Sequence, residues 1–258
     1  MRLLFIAFLL LTNIIIQAQD PAPELITDRP DQTESSAVVP LRSLQIETGF
    51  IMENDETSLV RQRSFAYNTT LLRYGLLGNF ELRLGVEYLG EKVKFKSTET
   101  TSIVSGLSPV YAGFKMKIAE EKGWRPEIAF LGALDLPFLA SDSFKPEYTG
   151  AHLSFAFAHT LSERFSLGYN LGAEWDGDTA IPSYFYSVSL GAGISRRLGS
   201  FMESYGHLPE DGQHEHLMDA GLTFLVSPNF QLNFSCGIGL QNSIDNFVSF
   251  GLTYRILN

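Results

Sequence analysis

The sequence predicts an all-β chain, a transmembrane antiparallel β-barrel of about 12 strands with short periplasmic turns and longer extracellular loops. The first observation behind this is period-two alternation. In FQLNFSCGIGL, Phe230, Leu232, Phe234, Cys236, Ile238 and Leu240 are apolar, while Gln231, Asn233, Ser235, Gly237 and Gly239 lie between them. From Val248 to Ile256 the even positions are again apolar, and the odd ones are Ser249, Gly251, Thr253 and Arg255. Such a strand has one apolar and one polar face. The second observation is an export leader, and the third is that short and long connections alternate along the chain.

The chain reads in order from that leader. Arg2 gives residues 1–18 their positive start, residues 3–16 an apolar stretch, and Ala18 a small-residue cleavage site before Gln19. The apolar run falls short of the ~20 residues of a spanning helix, and no other segment approaches that length. Residues 19–42 are polar and hold four prolines, and they read as a periplasmic N-terminal segment, placed to act as a plug. The barrel then takes residues 43–258.

Twelve strand cores follow, at 44–53, 66–76, 80–93, 110–119, 127–136, 152–160, 165–175, 184–196, 201–206, 216–226, 230–240 and 247–256. The first turns Gln45 and Glu47 away from its apolar face, and the second Arg73. The third sets Glu81, Arg83, Gly85 and Glu87 against Phe80, Leu82, Leu84, Val86 and Tyr88. In the fourth, Tyr111, Gly113, Lys115 and Lys117 oppose Val110, Ala112, Phe114, Met116 and Ile118. The fifth and ninth alternate poorly but offer Asp135 and Glu203. The sixth carries His152 and Ser154, the seventh Asn170 and Glu174, the eighth Gly191 and Gly193, the tenth Asp219 and the twelfth Arg255. Connections at 77–79, 120–125, 162–164, 198–200 and 227–229 are turn-like. Those near 54–65, 97–109, 137–151, 176–183, 207–215 and 241–246 are mostly longer, and an even strand number returns both termini to the periplasmic side.

Polar faces in a barrel line the lumen, so Glu47, Arg73, Glu81, Arg83, Glu87, Lys115, Lys117, Glu174, Glu203, Asp219 and Arg255 are the expected lumen residues. Charges of both signs there must pair or meet water. Twelve strands lie between small side-chain-filled barrels and wide aqueous porins, which points to a narrow or selective pore. A network that only holds the barrel in shape is the other reading. Outward aromatics near strand ends, Tyr74, Tyr88, Tyr169, Trp175, Tyr184, Tyr186 and Tyr254, fit interfacial girdles. Cys236 is alone and sits on an apolar face, so no internal disulfide forms. The net charge of −10 becomes −11 when the leader takes Arg2 with it, and an acidic chain without basic tracts argues against nucleic acid as a partner.

Three constellations could carry chemistry. His152 and Ser154 share a strand face, as in a His-activated serine of a barrel acyl hydrolase, but the nearest acid in sequence, Glu147, falls in a loop. His207, His214 and His216, with Glu210, Asp211 and Glu215, could meet a divalent ion, yet no third ligand is convincingly spaced and no metal is assigned. Asp28, Arg29 and Asp31, stiffened by Pro30, could complement the lumen charges and cap its mouth, or simply be solvated. No phosphate-cradling glycine loop or nucleophile elbow is present, and no cofactor is expected.

The run ITDRPDQTESS at 26–36, followed by LQIETG at 44–49, resembles the opening of a Bacteroidetes-type family of outer-membrane transporters named for the MetA pathway of phenol degradation. LRYG at 72–75, ELRL at 81–84, FSLGYNLGAEW at 165–175 and DAGLT at 219–223 extend the resemblance over nearly the whole mature chain. It implies uptake of aromatic or other apolar small molecules and gives no site residues. The expected function is therefore passive passage of small solutes across a Gram-negative outer membrane, without catalysis. Membrane lipid, the solute and the outer-membrane assembly machinery are the expected partners. Arg73, Arg83, Lys115, Lys117 and Arg255 are expected to face Glu47, Glu81, Glu87, Glu174 and Asp219. A closed structural or surface-interaction barrel is the first alternative, and a lipid hydrolase is the second.

Overall fold

The computed structural model describes residues 23–257, so the leader assigned to 1–18 lies outside the described residues. Thirteen strands are present: β1 (Leu44–Glu56), β2 (Val60–Leu77), β3 (Phe80–Phe95), β4 (Thr101–Leu107), β5 (Val110–Ala119), β6 (Glu127–Leu136), β7 (Gly150–Thr160), β8 (Phe165–Trp175), β9 (Ser183–Gly193), β10 (Leu198–Pro209), β11 (Glu215–Ser227), β12 (Phe230–Gln241) and β13 (Asn246–Ile256). Each pairs antiparallel with its neighbours, and β13 closes back on β1. The barrel nonetheless has twelve staves, because β4 and β5 both pair with β3 and together form the fourth. Pro109 interrupts that stave, since proline cannot donate to a ladder. The Ser108 amide bridges the break by donating to the Glu87 carbonyl at 3.0 Å.

The alternation read from sequence is inverted relative to a water-soluble fold. Leu82, Leu84, Phe155, Leu171, Leu190, Met202, Leu222, Leu232 and Phe250 are all exposed on the outside, while Arg73, Lys115, Glu47, Glu81 and Arg255 are buried inside. Bare apolar side chains outside and buried charge inside is what lipid demands of a barrel wall. An ordinary sandwich would place the two sets the other way round.

Several boundaries differ from expectation. Residues 54–65 are not a long loop, because β1 and β2 continue to a three-residue connection, 57–59. The segment 97–109 contains β4. The turn near 198–200 lies instead at 194–197, so the ninth strand core is not short but belongs to the 12-residue β10. For the differences on the long-loop side the reason is shared. Above the membrane a strand is wet on both faces, so backbone pairing persists after the apolar signal has faded. The poor alternation of β6 has a second cause: Ala129, Leu131 and Ala133 are buried on its lumen face. The N-terminal segment crosses this wall, where Ser36 reaches Glu127 and Glu34 reaches Asn170.

Residues 23–43 contain no helix or strand and thread the lumen from the short-turn end. Carbonyls of Pro23 and Glu24 meet Arg255 near the turn at Asn229, and Thr27 accepts from Gln231. The chain rises to Arg29 and Asp31, which meet Ser249 and Ser189. It descends past Ser36 and Val39 and leaves beside Gly75, whose amide donates to the Ser43 carbonyl at 3.0 Å.

Candidate functional site

Strand register alone creates an electrostatic problem inside the lumen. Arg73 on β2 lies directly opposite Arg83 on β3, and like charges so placed disfavour pairing. Lys115 follows on β5, opposite Glu81. Glu47 and Glu81 supply two of the balancing charges, and the N-terminal segment brings the rest. Asp28 lies 3.1 Å from Arg73, 2.7 Å from Arg83 and 2.9 Å from Lys115. Arg73 also holds Glu47 at 2.9 Å and Glu81 at 2.8 Å, and Arg83 holds Glu34 at 2.7 Å. Backbone groups complete the junction: the Asp28 amide donates to Glu47, the Val39 amide to Glu81, and Lys115 to the Ser35 carbonyl. Burial costs such charges their water, and here the pairs and hydrogen bonds offset that cost.

Arg29 and Asp31 are held differently. The Arg29 guanidinium donates to Thr69 at 2.6 Å and Ser249 at 2.9 Å, and among the described residues no carboxylate comes within ion-pair distance of it. It lies against Gly49 and Gly251, which face each other across β1 and β13. A Cβ on Gly49 would stand 2.4 Å from its nearest nitrogen. Asp31 accepts from Ser189 at 3.2 Å, while Glu203 accepts from the Gln32 amide at 2.7 Å and from the Thr33 hydroxyl. Asp219 is buried opposite Glu203, and both its oxygens lack a hydrogen-bond partner among the described residues.

Above the segment are two connected lobes of a chamber, about 520 Å³ and about 420 Å³, sharing Gln32, Glu34, Glu87, Tyr111 and His152 as walls. Each falls in the size range of small-ligand sites. The walls mix aromatic rings, Tyr111, Phe185, Tyr205 and Phe247, with acids. Asp135 holds His152 at 2.6 Å, His152 reaches Glu174 at 3.4 Å, and Glu174 holds His207 at 3.0 Å, which forms an acid–imidazole ladder along one side.

The expected lumen residues therefore divide into groups. Glu47, Arg73, Glu81, Arg83 and Lys115 meet in one junction with Asp28. Glu87 lines the chamber without an ion-pair partner among the described residues. Lys117 lies at the turn end and pairs with Glu127 at 3.0 Å and Glu120 at 3.3 Å, away from the junction. Five pairings expected from sequence are corrected, that of Lys117 among them. Arg255 meets no acid among the described residues but donates to Asn229 and the carbonyls of Pro23, Glu24 and Pro228. Glu174 faces histidines, Asp219 faces Glu203, and Glu87 faces the open chamber.

The acid nearest His152 is Asp135 rather than Glu147, and Ser154 makes no hydrogen bond to the imidazole among the described residues. His207 points to Glu174 while His216 hydrogen-bonds Tyr186, so these two histidines do not converge. Sequence reasoning missed Glu34, Glu127 and the lumen aromatics Phe185, Tyr205 and Phe247. The last two were legible in strand phase, since each shares the parity of a polar lumen neighbour, Glu203 or Ser249.

A family model described as "Putative MetA-pathway of phenol degradation" matches residues 27–256. The fold is similar to that of an outer membrane channel from Pseudomonas putida F1, with a TM-score of 0.70, 11% identity, and coverage of 90% of this chain and 100% of that one. The NanC porin gives 0.51 at 9% identity, covering 83% of this chain and 100% of its own. The β domain of the Bordetella autotransporter BrkA gives 0.53 at 11% identity, with the same coverages of 83% and 100%. At such identities the likeness is one of fold. No protein of curated function matches the chain.

Proposed function

The chain belongs to that phenol-degradation family, and from this membership and the lumen geometry we propose that it is an outer-membrane channel for passive passage of small solutes, closed from the periplasmic end by residues 23–42. The observation that carries the reading is the chamber itself. A ligand-sized space sits directly above a segment held largely by ion pairs and hydrogen bonds, which can be broken and remade without unfolding the wall. Aromatic walls beside carboxylates and imidazoles suit small aromatic molecules that carry a polar group, which agrees with the family's description. A solute entering from outside would occupy the chamber first and proceed only when the segment shifts.

The test is ion conductance of the refolded mature protein in a planar bilayer, with and without residues 20–40. Low conductance for the full form and steady conductance for the truncated one is the expected result. Silence in both, with the barrel folded, would refute the channel. It would favour a structural barrel with a closed lumen, the reading that the fully buried Arg73 junction also supports.

A further inference from the structure

The extracellular rim carries a second charged feature, on the outside of the wall. Strand β3 keeps one phase along its length: Leu82, Leu84, Val86 and Tyr88 face outward, and Lys92 and Lys94 continue that face above them. Strand β2 places Arg63 directly opposite Lys92 and Arg61 opposite Lys94. Four cations thus form a two-by-two block on one outward surface. Three acids of β1 and β3 go the other way. Glu53 and Glu91 both pair with Ser64, and Asp55 pairs with Gln62, positions on the opposite face.

Compensation on the outer surface is partial. Glu56 holds Arg61 at 2.7 Å and Lys96 at 2.8 Å, and Glu99 holds Lys94. Arg63 and Lys92 have no ion-pair partner among the described residues. Like charges directly opposed across strands weaken a hairpin, so an acidic chain has no folding reason to place them there.

The height of the block says what it meets. Just below it lie Phe65 and Tyr67, stacked at 5.3 Å, and Tyr88, 6.1 Å from Tyr67, with the Tyr67 ring packed on Gly90. These rings form the girdle on this side of the barrel. Lys92 is two residues beyond Gly90, a rise of roughly 7 Å, which sets the cations at the level where lipid headgroups begin. We propose that Arg61, Arg63, Lys92 and Lys94 bind the phosphate groups of an anionic lipid of the outer leaflet. The lipid would lie along the β2–β3–β4 wall, its chains against Tyr88 and Leu107 and its phosphate bridging Arg63 and Lys92, level with Ile103. A fork-shaped guanidinium beside a mobile ammonium suits a phosphate with several free oxygens. The site is independent of whether the lumen conducts.

The test uses the refolded mature protein in an uncharged detergent, with diphosphorylated lipid A, its dephosphorylated form and inorganic phosphate as probes, and bound lipid read by native mass spectrometry. The protein should retain the diphosphorylated lipid in preference to the dephosphorylated one. The Arg63→Gln/Lys92→Gln double variant should bind it about 30-fold more weakly, from the usual attraction of two basic residues to an anionic surface. A Lys122→Gln/Arg125→Gln variant at the opposite end should bind as the unaltered protein does. Both sites are exposed, and gel mobility before and after heating reports folding; the single Lys92→Gln variant serves should the double variant not fold. Equal binding by the altered and unaltered proteins would overturn the proposal, as would equal retention of dephosphorylated lipid. Displacement by millimolar inorganic phosphate would also overturn it, because the site would then serve free anions.

Discussion

Asp28→Asn removes one charge from the centre of the lumen junction, and its effect can be worked from the contacts. Arg73 keeps Glu47 and Glu81, and Arg83 keeps Glu34 and Glu81, so neither guanidinium is orphaned. Lys115 is different, since Asp28 is its carboxylate partner and the ammonium is fully buried. Leaving one buried charge without its counter-ion costs about 3–5 kcal/mol. The strand that bears Lys115 cannot move, but the segment can. When residues 23–43 withdraw, water reaches the ammonium and the cost is relieved, so the penalty falls on the docked form. At 1.4 kcal/mol per decade, the undocked population should rise by about two to three and a half decades. Single-channel recording reads this as the ratio of open to closed dwell times. Adding Lys115→Met should return the ratio most of the way, because an apolar replacement removes the stranded charge. An Asp28→Asn channel whose dwell times match the unaltered protein would refute the claim that this junction holds the segment.

Three further outcomes are expected. Gly75→Ala would put a methyl group 2.1 Å from the Pro40 carbonyl oxygen, an overlap costing about 1–3 kcal/mol, so the segment should become accessible to protease while the barrel stays heat-modifiable on gels. Leu222→Arg places a cation on the lipid face and should lower stability in phospholipid vesicles by about 2–4 kcal/mol in urea titration; an unchanged midpoint would mean that this face does not meet lipid. Asp219→Asn removes a carboxylate that stands opposite Glu203 without a partner and should stabilise the barrel by about 0.2–1 kcal/mol in the same titration. A loss of stability there would show that Asp219 has a counter-charge in the hydrated lumen.

How legible each part was depended on how local its cause is. The alternation in 230–240 and 248–256 reports which side of a strand meets lipid, and it holds because successive side chains point to opposite faces. For that reason the assignment of Arg73, Glu81, Arg83 and Lys115 to the lumen needed only strand phase. Their neighbours needed more. Arg255 carries the same signal as Arg73, yet it takes backbone carbonyls at the turn end, because its height along the barrel falls where the chain enters. The stretch 101–107 was hidden for another reason, since its outward face offers only Ile103 and Leu107, too short an alternation to announce a strand.

The sequence by itself determined the barrel, its even stave number and the polarity of its two surfaces, all consequences of period-two patterning against lipid and of turn chemistry. Only the tertiary structure decided that Asp28 sits between Arg73, Arg83 and Lys115, that the histidines join Asp135 and Glu174, and that Arg63 stands opposite Lys92. Those juxtapositions depend on register between strands and on the path of a segment without periodicity. Register is fixed by closure of the whole ring, and a pattern read along one strand carries no record of it.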